Sequence, residues 1–394
     1  MDLETFQWLL TRDGQQLLEV AGRVYAESEG DPVRAASGVR RTEPIADRAA
    51  AALTQVQLRD RASAKFGADA ARMYFTPDAL EQATRARVAT HRAGRLSAAQ
   101  PASVIDLGCG IGGDLIAFAR AGLVAAGVDL DPVRVAIASA NLDALGLQGA
   151  TQVADATTLD LSGFAVAFAD PARRSGRGRT FRVDDWTPPW SFVETLLARE
   201  SVVKVAPGIP HELLPDDIEA EWVSDDGDVK EASLWGGQLA TASRRATVIS
   251  GGGLASMTEE DDPWQGEERP VRDLGGFLYE PDGAVIRAGL VTAVAAGVSG
   301  GLVDEHIAWV TSDSSFHTPF AKGYQVLEQL PYREKPLRAA LRERGIGSLT
   351  IKKRGVDIVP EQLRKRLDLA GDNEATLVLT RAAGHGIALL VRPF

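Results

Sequence analysis

The segment VIDLGCGIGGD, residues 104–114, constrains the fold more than any other part of the chain. A short apolar run that carries one acid is followed by four glycines within six residues. Gly108, Gly110 and Gly113 match G-x-G-x-x-G, a pattern in which a glycine turn joins a strand to a helix and lets the backbone approach a nucleotide. The segment therefore predicts a strand–loop–helix unit with a nucleotide-type ligand at the loop.

Strands and helices alternate after this loop. Apolar runs at 124–130, 164–169 and 202–206 predict further strands, and the stretch from Pro132 to Gly146 predicts a helix between them. This alternation indicates an α/β fold with a doubly wound, Rossmann-like parallel sheet. Ligands of such sheets bind at the carboxyl ends of the strands, where the strand order reverses.

The two ends of the chain differ from this middle part. The first 95 residues are rich in helix-forming residues and predict a helical cap, whereas 314–394 predicts a small α+β domain. We therefore predict three domains: 1–95, 96–313 and 314–394. Within the second, 250–270 predicts a surface loop, and the turn residues 281–283 predict a hairpin.

Composition narrows the class of protein. A formal net charge of -11 disfavours nucleic acid as a partner of the whole surface, so any basic patch must be local. A single cysteine and no evident signal peptide favour the cytoplasm. The longest apolar run, 288–303, contains glycine, threonine and serine and predicts buried structure rather than a membrane span.

Three acids at successive strand ends indicate which nucleotide the loop binds. Asp106 precedes the first glycine, a position that suits the ammonium group of S-adenosylmethionine (SAM) better than a dinucleotide. Asp129 ends the next predicted strand and can accept both ribose hydroxyls, which suits SAM and NAD alike. Asp155 follows the third predicted strand and can accept from an adenine amino group. SAM is favoured, with NAD and a glycine turn without ligand as the alternatives.

Asp170 and Pro171 follow the fourth predicted strand and indicate the acceptor side of the site. A carboxylate and a backbone carbonyl there can accept hydrogen bonds from a substrate amine and so orient its nitrogen. The alternative is an ordinary strand-to-loop turn. Cysteine-dependent carbon methylation is disfavoured, because the single cysteine, Cys109, lies inside the glycine loop. The five histidines show no metal-ligand spacing, so we expect no metal.

These motifs resemble a known group. DLGCGIGGDLIAFARAG, GVDLDPVRVAIASANLDALG and FADPARR are similar to class I SAM-dependent methyltransferases, especially the trimethylguanosine synthase-like branch. MYFTPDALEQATR, residues 73–85, resembles the segment that closes over the cofactor in that branch. Ala172 and Arg173 replace its Pro-Trp pair, and an arginine plane can also stack on a base. The resemblance implies Asp170, Pro171 and Arg173 as catalytic residues. The predicted cofactor site comprises Thr76, Asp106, Gly108, Gly110, Gly112, Asp129, Leu130, Asp155 and Ala156.

The last segment, 323–381, resembles the THUMP-like domain of bacterial methyltransferase-like proteins, which implies RNA as a partner. Between Arg333 and Arg366 the chain carries eleven Arg or Lys against four Asp or Glu, or about +7 within a chain of -11. Such a segment suits phosphate contacts, or it is a solvated basic face. The predicted RNA-binding residues are Lys352, Lys353, Arg354, Arg364 and Lys365.

The sequence therefore predicts a SAM-dependent methyltransferase that modifies a nitrogen of an RNA base, in tRNA or rRNA. Methylation of a small molecule or a protein is one alternative. A non-catalytic protein that binds SAM or RNA is another, disfavoured by the four acids at the strand ends.

Overall fold

The computed structural model describes residues 1–173, 186–264 and 270–394, and for Ala172 and Arg173 only the backbone. The described chain forms two compact units. The first consists of Met1–Val205 and Ser233–Ala240, and the second of Ala206–Ala232 and Thr241–Phe394. The predicted division into three domains stays a prediction.

The chain begins with helices, as predicted. Side chains at Asp2, Thr11 and Asp31 accept hydrogen bonds from first-turn N–H groups and so fix where three of the helices begin. The helices are α1 (Leu3–Leu9), α2 (Arg12–Glu27), α3 (Pro32–Thr42), α4 (Ala46–Phe66), α5 (Pro77–Gln82) and α6 (Ala86–Ala98), with a 3₁₀ helix at Gly67–Ala71.

A doubly wound parallel sheet follows, as predicted. Its strands are neighbours in the order β7-β4-β1-β2-β3, so the order reverses between β1 and β4. The elements are β1 (Val104–Leu107), α7 (Gly113–Arg120), β2 (Ala125–Asp129), α8 (Pro132–Leu145), β3 (Ala150–Val153), β4 (Val166–Ala169), the short pair β5 (Ala172–Arg173) and β6 (Trp186–Thr187), α9 (Trp190–Leu197) and β7 (Ser201–Val205).

The middle of this sheet is buried on both faces. All four residues of β1 and of β4 are buried, as helix-covered parallel strands require. Phe118 on α7 packs edge to face against Phe168 on β4, with 5.4 Å between ring centroids. The strand ends are thereby held in fixed positions beneath the glycine loop.

The second unit begins with strands that the sequence predicted only in part. They are β8 (Glu219–Asp225), β10 (Arg244–Ser250) and β11 (Gly253–Thr258), while β9 (Asp228–Gly236) has residues in both units. Strand β10 pairs in parallel with β8 and antiparallel with β11. The loop prediction for 250–270 is wrong at β11, because pairing with β10 satisfies the backbone of this glycine-rich segment.

A seven-stranded sheet forms the rest of the second unit, in the order β13-β14-β12-β15-β18-β17-β16. Its elements are β12 (Phe277–Pro281), α10 (Gly283–Ala288), α11 (Val291–Gly297), β13 (Gly301–Asp304), β14 (Ile307–Ser312), β15 (Ala321–Leu330), α12 (Glu334–Glu343), β16 (Ile346–Lys353), α13 (Pro360–Leu367), β17 (Asn373–Ala382) and β18 (His385–Pro393). Leu377 and Leu379 on β17 pack into one apolar cluster, and Val378 between them packs into another. The sheet is therefore covered on both faces.

The predicted hairpin at 281–283 is wrong. The side chain of Asp282 accepts a hydrogen bond from the N–H of Ala284 and caps α10, so the chain enters a helix where a turn was expected. The apolar run 288–303 contributes to α11 and β13. Among the described residues, none of the helices has the length and apolar character needed to cross a membrane.

Candidate active site

A cavity of about 600 Å³ lies in the first unit at the carboxyl ends of the parallel strands. It is lined by these predicted residues: Asp106, Gly108, Gly110, Asp129, Leu130, Asp155, Ala156, Asp170 and Pro171. Two residues of the predicted cofactor site, Thr76 and Gly112, do not line the cavity. Thr76 caps α5 through the N–H of Ala79, and Gly112 turns the chain into α7 with a φ of 85°. The side chain of Arg173 lies outside the described residues.

The glycine loop borders open space. Gly108 and Gly110 have φ values of 99° and 54°, which glycine adopts at little cost, and a Cβ on either would meet no atom within 4 Å. Asp129 fixes the loop from the next strand: its Oδ2 accepts from the N–H of Gly110 at 3.0 Å, and its Oδ1 from the N–H of Asp131 at 2.9 Å. The sequence did not predict this second role of Asp129.

Asp106 is buried beside the loop without full hydrogen bonding. Its residue surface is 1% exposed, and its Oδ1 has no hydrogen-bond partner in the described part of the chain. Burial raises the pKa of Asp106 well above its usual range, and the charges of Asp114 and Asp170 raise it further, against the opposing charge of Arg92. An unpartnered buried carboxylate oxygen at a cavity suits a ligand that supplies a donor or a cation.

Asp155 lines the same cavity and is exposed. Its carboxylate accepts from the hydroxyl of Thr157 at 2.7 Å and from the N–H of the same residue at 2.9 Å. These hydrogen bonds lower the pKa of Asp155, so it is an ionised acceptor at neutral pH. Leu130 is 66% exposed as a whole residue and lines the cavity with an apolar side chain.

Asp170 is paired with a lysine that the sequence did not single out. Strands β4 and β7 pair Ala169 with Val203, so the residues that follow, Asp170 and Lys204, are neighbours across the sheet. Lys204 Nζ donates to Asp170 Oδ2 at 2.6 Å. Both side chains line the cavity, that of Asp170 with 34% of its surface exposed and that of Lys204 with 16%. The available signal was a lone lysine in the apolar run VVKVA.

A buried polar network continues from Lys204 along the cavity wall, which Thr84 and Asp114 also line. Lys204 Nζ also donates to Thr84 Oγ1 at 3.1 Å, and Thr84 Oγ1 donates to Asp114 Oδ2 at 2.9 Å. The other oxygen of Asp114 accepts from Arg92 Nη1, whose guanidinium lies 4.8 Å from the ring centroid of Phe168. The network joins the substrate side of the cavity to the first turn of α7.

Two buried amides fasten the segment 73–75, which precedes α5. The side chain of Gln55 exchanges two hydrogen bonds with the backbone of Phe75, at 2.7 and 3.0 Å. Asn141 does the same with Tyr74 and also donates to the carbonyl of Ile111 in the glycine loop at 2.9 Å. The sequence indicated this segment through its resemblance but not the amides that hold it.

Cys109 packs in the loop as an inert thiol. It is 6% exposed, and burial raises its pKa, as do the charges of Asp106 and Asp129. Its sulfur therefore stays protonated at neutral pH. The described residues contain no group of three or more His, Cys, Asp or Glu side chains that could hold a metal ion.

The predicted RNA-binding residues of the second unit differ in their surroundings. Lys352 Nζ donates to Glu280 Oε2 at 2.5 Å; this bond raises the pKa of Lys352, although burial opposes it. Arg354 lies 4.0 Å from Glu280 and donates to a backbone carbonyl. Lys353 and Lys365 are exposed and form no ion pair within the described ranges. Arg364, also exposed, donates through Nε to the carbonyl of Leu349.

Comparisons with known proteins relate three parts of the chain to family models and most of its length to two relatives. Residues 104–170 match a family model described as a methyltransferase domain, 321–393 one described as THUMP domain-like, and 2–62 a domain of unknown function. Two relatives from Mycobacterium tuberculosis, strains CDC 1551 and H37Rv, are each named an uncharacterized S-adenosylmethionine-dependent methyltransferase. Each is 38% identical over 365 residues, which cover 88% of this chain and 98% of the relative.

A solved structure extends the likeness over the whole fold. The crystal structure of a Porphyromonas gingivalis W83 protein, provisionally assigned as a methyltransferase, matches with a TM-score of 0.76 at 20% identity. The match covers 96% of this chain and 98% of that protein. The chain belongs to the SAM-dependent methyltransferases. Within that class it carries a helical N-terminal region and a C-terminal THUMP-like domain, and SAM is its cofactor.

Proposed function

We propose that this methyltransferase transfers the methyl group of SAM to a nitrogen of an RNA base, in tRNA or rRNA. The observation that carries the proposal is the carboxylate of Asp170, which lines the cavity and is held by Lys204 at 2.6 Å. A fixed carboxylate, with the backbone carbonyls of the Asp-Pro turn, accepts hydrogen bonds from an amino group and orients its nitrogen. The buried thiol of Cys109 disfavours transfer to carbon through a cysteine adduct.

The residues present fit SAM. The unpartnered oxygen of Asp106 suits an ammonium group, and the open space beside Gly108 and Gly110 leaves room for the methionine part. Asp129 would hold the ribose. The adenine would be bordered by Leu130, Asp155 and Ala156. Two predicted residues would contribute indirectly: Thr76 by capping α5 and Gly112 by turning the chain into α7. Bound there, SAM supplies a methyl group that its sulfonium already activates.

The chain's own contribution is to orient and stabilise the acceptor. A neutral amino nitrogen that gains a methyl group becomes positively charged until it releases a proton. The carboxylate of Asp170 accepts from its N–H and stabilises that charge. Arg173 stands where the trimethylguanosine synthase-like branch has an aromatic residue, and we propose that it stacks on the base. We also propose that this chain is related to that branch.

RNA is favoured by the C-terminal part of the chain. Residues 321–393 match the THUMP domain-like model, and the basic segment 333–366 carries about +7 in a chain of -11. Lys353 and Lys365 present exposed charges that a phosphate backbone would attract. The other proposed contacts should contribute less to RNA affinity, because each already has a partner in the protein: Lys352, Arg354 and Arg364.

The experiment uses total RNA from a strain that lacks the gene, incubated with the full-length protein and methyl-labelled SAM. We expect label in a nucleoside base of tRNA or rRNA. Asp170→Ala should lower turnover about a hundredfold or more while SAM affinity stays unchanged, because Asp170 orients the acceptor. Label that enters only a protein or small-molecule fraction would contradict the RNA proposal, and full activity of Asp170→Ala would contradict the role of Asp170.

A further inference from the structure

We propose that Lys204 is a positioning residue of the methyl-transfer site, which fixes the carboxylate of Asp170 and connects it through Thr84 to the helix that follows the glycine loop. The inference rests on the proposed function for the reaction that Asp170 serves. Its structural part stands on contacts that do not depend on the identity of the acceptor.

The position of Lys204 follows from the sheet. Strand β7 is buried along most of its length, and Lys204 is its one partly exposed residue, at the end that faces the cavity. A lysine in an apolar strand loses much of its hydration, so its charge must be compensated by protein groups. Asp170 compensates it from the end of the adjacent strand β4.

The direction of the hydrogen bonds is fixed by chemistry. An ammonium group only donates, so Thr84 Oγ1 accepts from Lys204 and uses its single proton to donate to Asp114 Oδ2. Asp114 lies in the first turn of α7 and is paired with the buried Arg92. A displacement of Lys204 would thus change the hydrogen bonding of Asp170 and, through Thr84, that of α7, the helix that begins at the glycine loop.

Several charged groups surround this pair. On the acidic side, the charges of Asp114, Asp170 and Asp129 all raise the pKa of Asp106 on β1, and Arg92 on α6 opposes them. Without Lys204, Asp170 would face this group of carboxylates with less compensation.

On the basic side, burial lowers the pKa of Lys65 on α4, and the charges of Arg85 and Lys204 lower it further. Lys65 itself donates to the carbonyls of Leu80, Glu81 and Ala83, at 2.7, 2.7 and 3.0 Å. Its ammonium group is thereby committed to the end of α5, so it is a poor replacement for Lys204.

The test compares Lys204→Met with Lys204→Arg in the full-length protein. The titration of the Asp170 carboxyl is followed by carbon-13 NMR, and its signal is assigned by its disappearance in Asp170→Asn. We expect the midpoint to move to higher pH by about 1 to 3 pH units in Lys204→Met, because the adjacent opposite charge is removed. In Lys204→Arg, which keeps the positive charge, the midpoint should lie close to that of the wild type.

The same variants are then assayed for methylation of total RNA from the deletion strain across pH. The acidic limb of the rate should move with the carboxyl titration in Lys204→Met, with every variant assayed at saturating SAM as determined for that variant by calorimetry. Thr84→Val, which keeps the charge of Lys204, should give a smaller shift in the same direction and serves if Lys204→Met does not fold.

The outcomes separate the two proposals. An Asp170 midpoint that is the same in wild type, Lys204→Met and Thr84→Val overturns the role of Lys204. A wild-type protein that labels no RNA overturns the proposed function instead, and the NMR titration still decides whether Lys204 controls Asp170.

Discussion

At the scale of single residues, Asp106 illustrates how a binding site is kept at the expense of stability. Its carboxyl is buried with one oxygen unpartnered, and burial raises its pKa. Between the ordinary and the raised pKa, the folded chain keeps a proton that the unfolded chain has released. The native state then binds more protons than the unfolded state, so the contribution of Asp106 to stability falls as pH rises through that window.

Asp106→Asn should therefore stabilise the SAM-free protein, and increasingly so as pH rises through that window, because an amide does not ionise. The same variant should bind SAM more weakly, since an amide cannot ionise to place a carboxylate opposite the ammonium group. Thermal unfolding of both proteins across pH, together with calorimetric titration of SAM, measures the two effects. Unfolding curves whose separation does not depend on pH would contradict the assigned environment of Asp106.

At the scale of elements, the buried amides Gln55 and Asn141 hold one extended segment from two different helices. Both pair with backbone groups of 74–75, but only Asn141 also reaches the glycine loop, through the carbonyl of Ile111. Gln55→Ala and Asn141→Ala each leave buried backbone groups without hydrogen-bond partners. Each should lower the free energy of unfolding by about 1–3 kcal/mol.

Only Asn141→Ala should also weaken SAM binding, which makes Gln55→Ala its matched control. Urea unfolding and calorimetry on both variants test this prediction. Equal SAM affinities in the two variants would show that the hydrogen bond to Ile111 does not set the shape of the loop.

The elements also show how far sequence reasoning reached. The parallel sheet, the glycine loop and the acids at the ends of β1, β2, β3 and β4 were predictable, because apolar periodicity and turn chemistry are local. Strand β11 was missed because its stability comes from pairing with β10. Asp282 could begin a turn or cap a helix with the same local sequence. Lys204 and Asn141 were missed because their roles exist only once distant elements meet.

At the scale of the whole molecule, charge is distributed unevenly. The chain carries -11 overall, yet the segment 333–366 carries about +7. Part of this positive charge is compensated by acids outside the segment but within the second unit: Arg344 pairs with Glu328, Arg342 with Asp368 and Lys352 with Glu280. The charge available to a polyanion is therefore smaller than the sequence suggests, and it includes that of Lys353 and Lys365.

Exposed and internally paired cations of the second unit should therefore differ in their effect on RNA binding. A double change of Lys353 and Lys365 to Gln should weaken RNA binding and reduce the dependence of log affinity on log salt by about 1 for each phosphate that is no longer neutralised by a lysine. The matched pair, Lys352→Gln with Arg354→Gln, removes the same formal charge. It should lower thermal stability, because the half-buried Glu280 loses both cationic partners and keeps the hydroxyl of Tyr324, while the salt slope changes little. Filter binding across a salt series, on wild type and both double variants, measures this. If the salt-dependent binding curves of the Lys353→Gln, Lys365→Gln variant superimpose on those of wild type, these lysines do not contact phosphates. The RNA must then be bound by another surface.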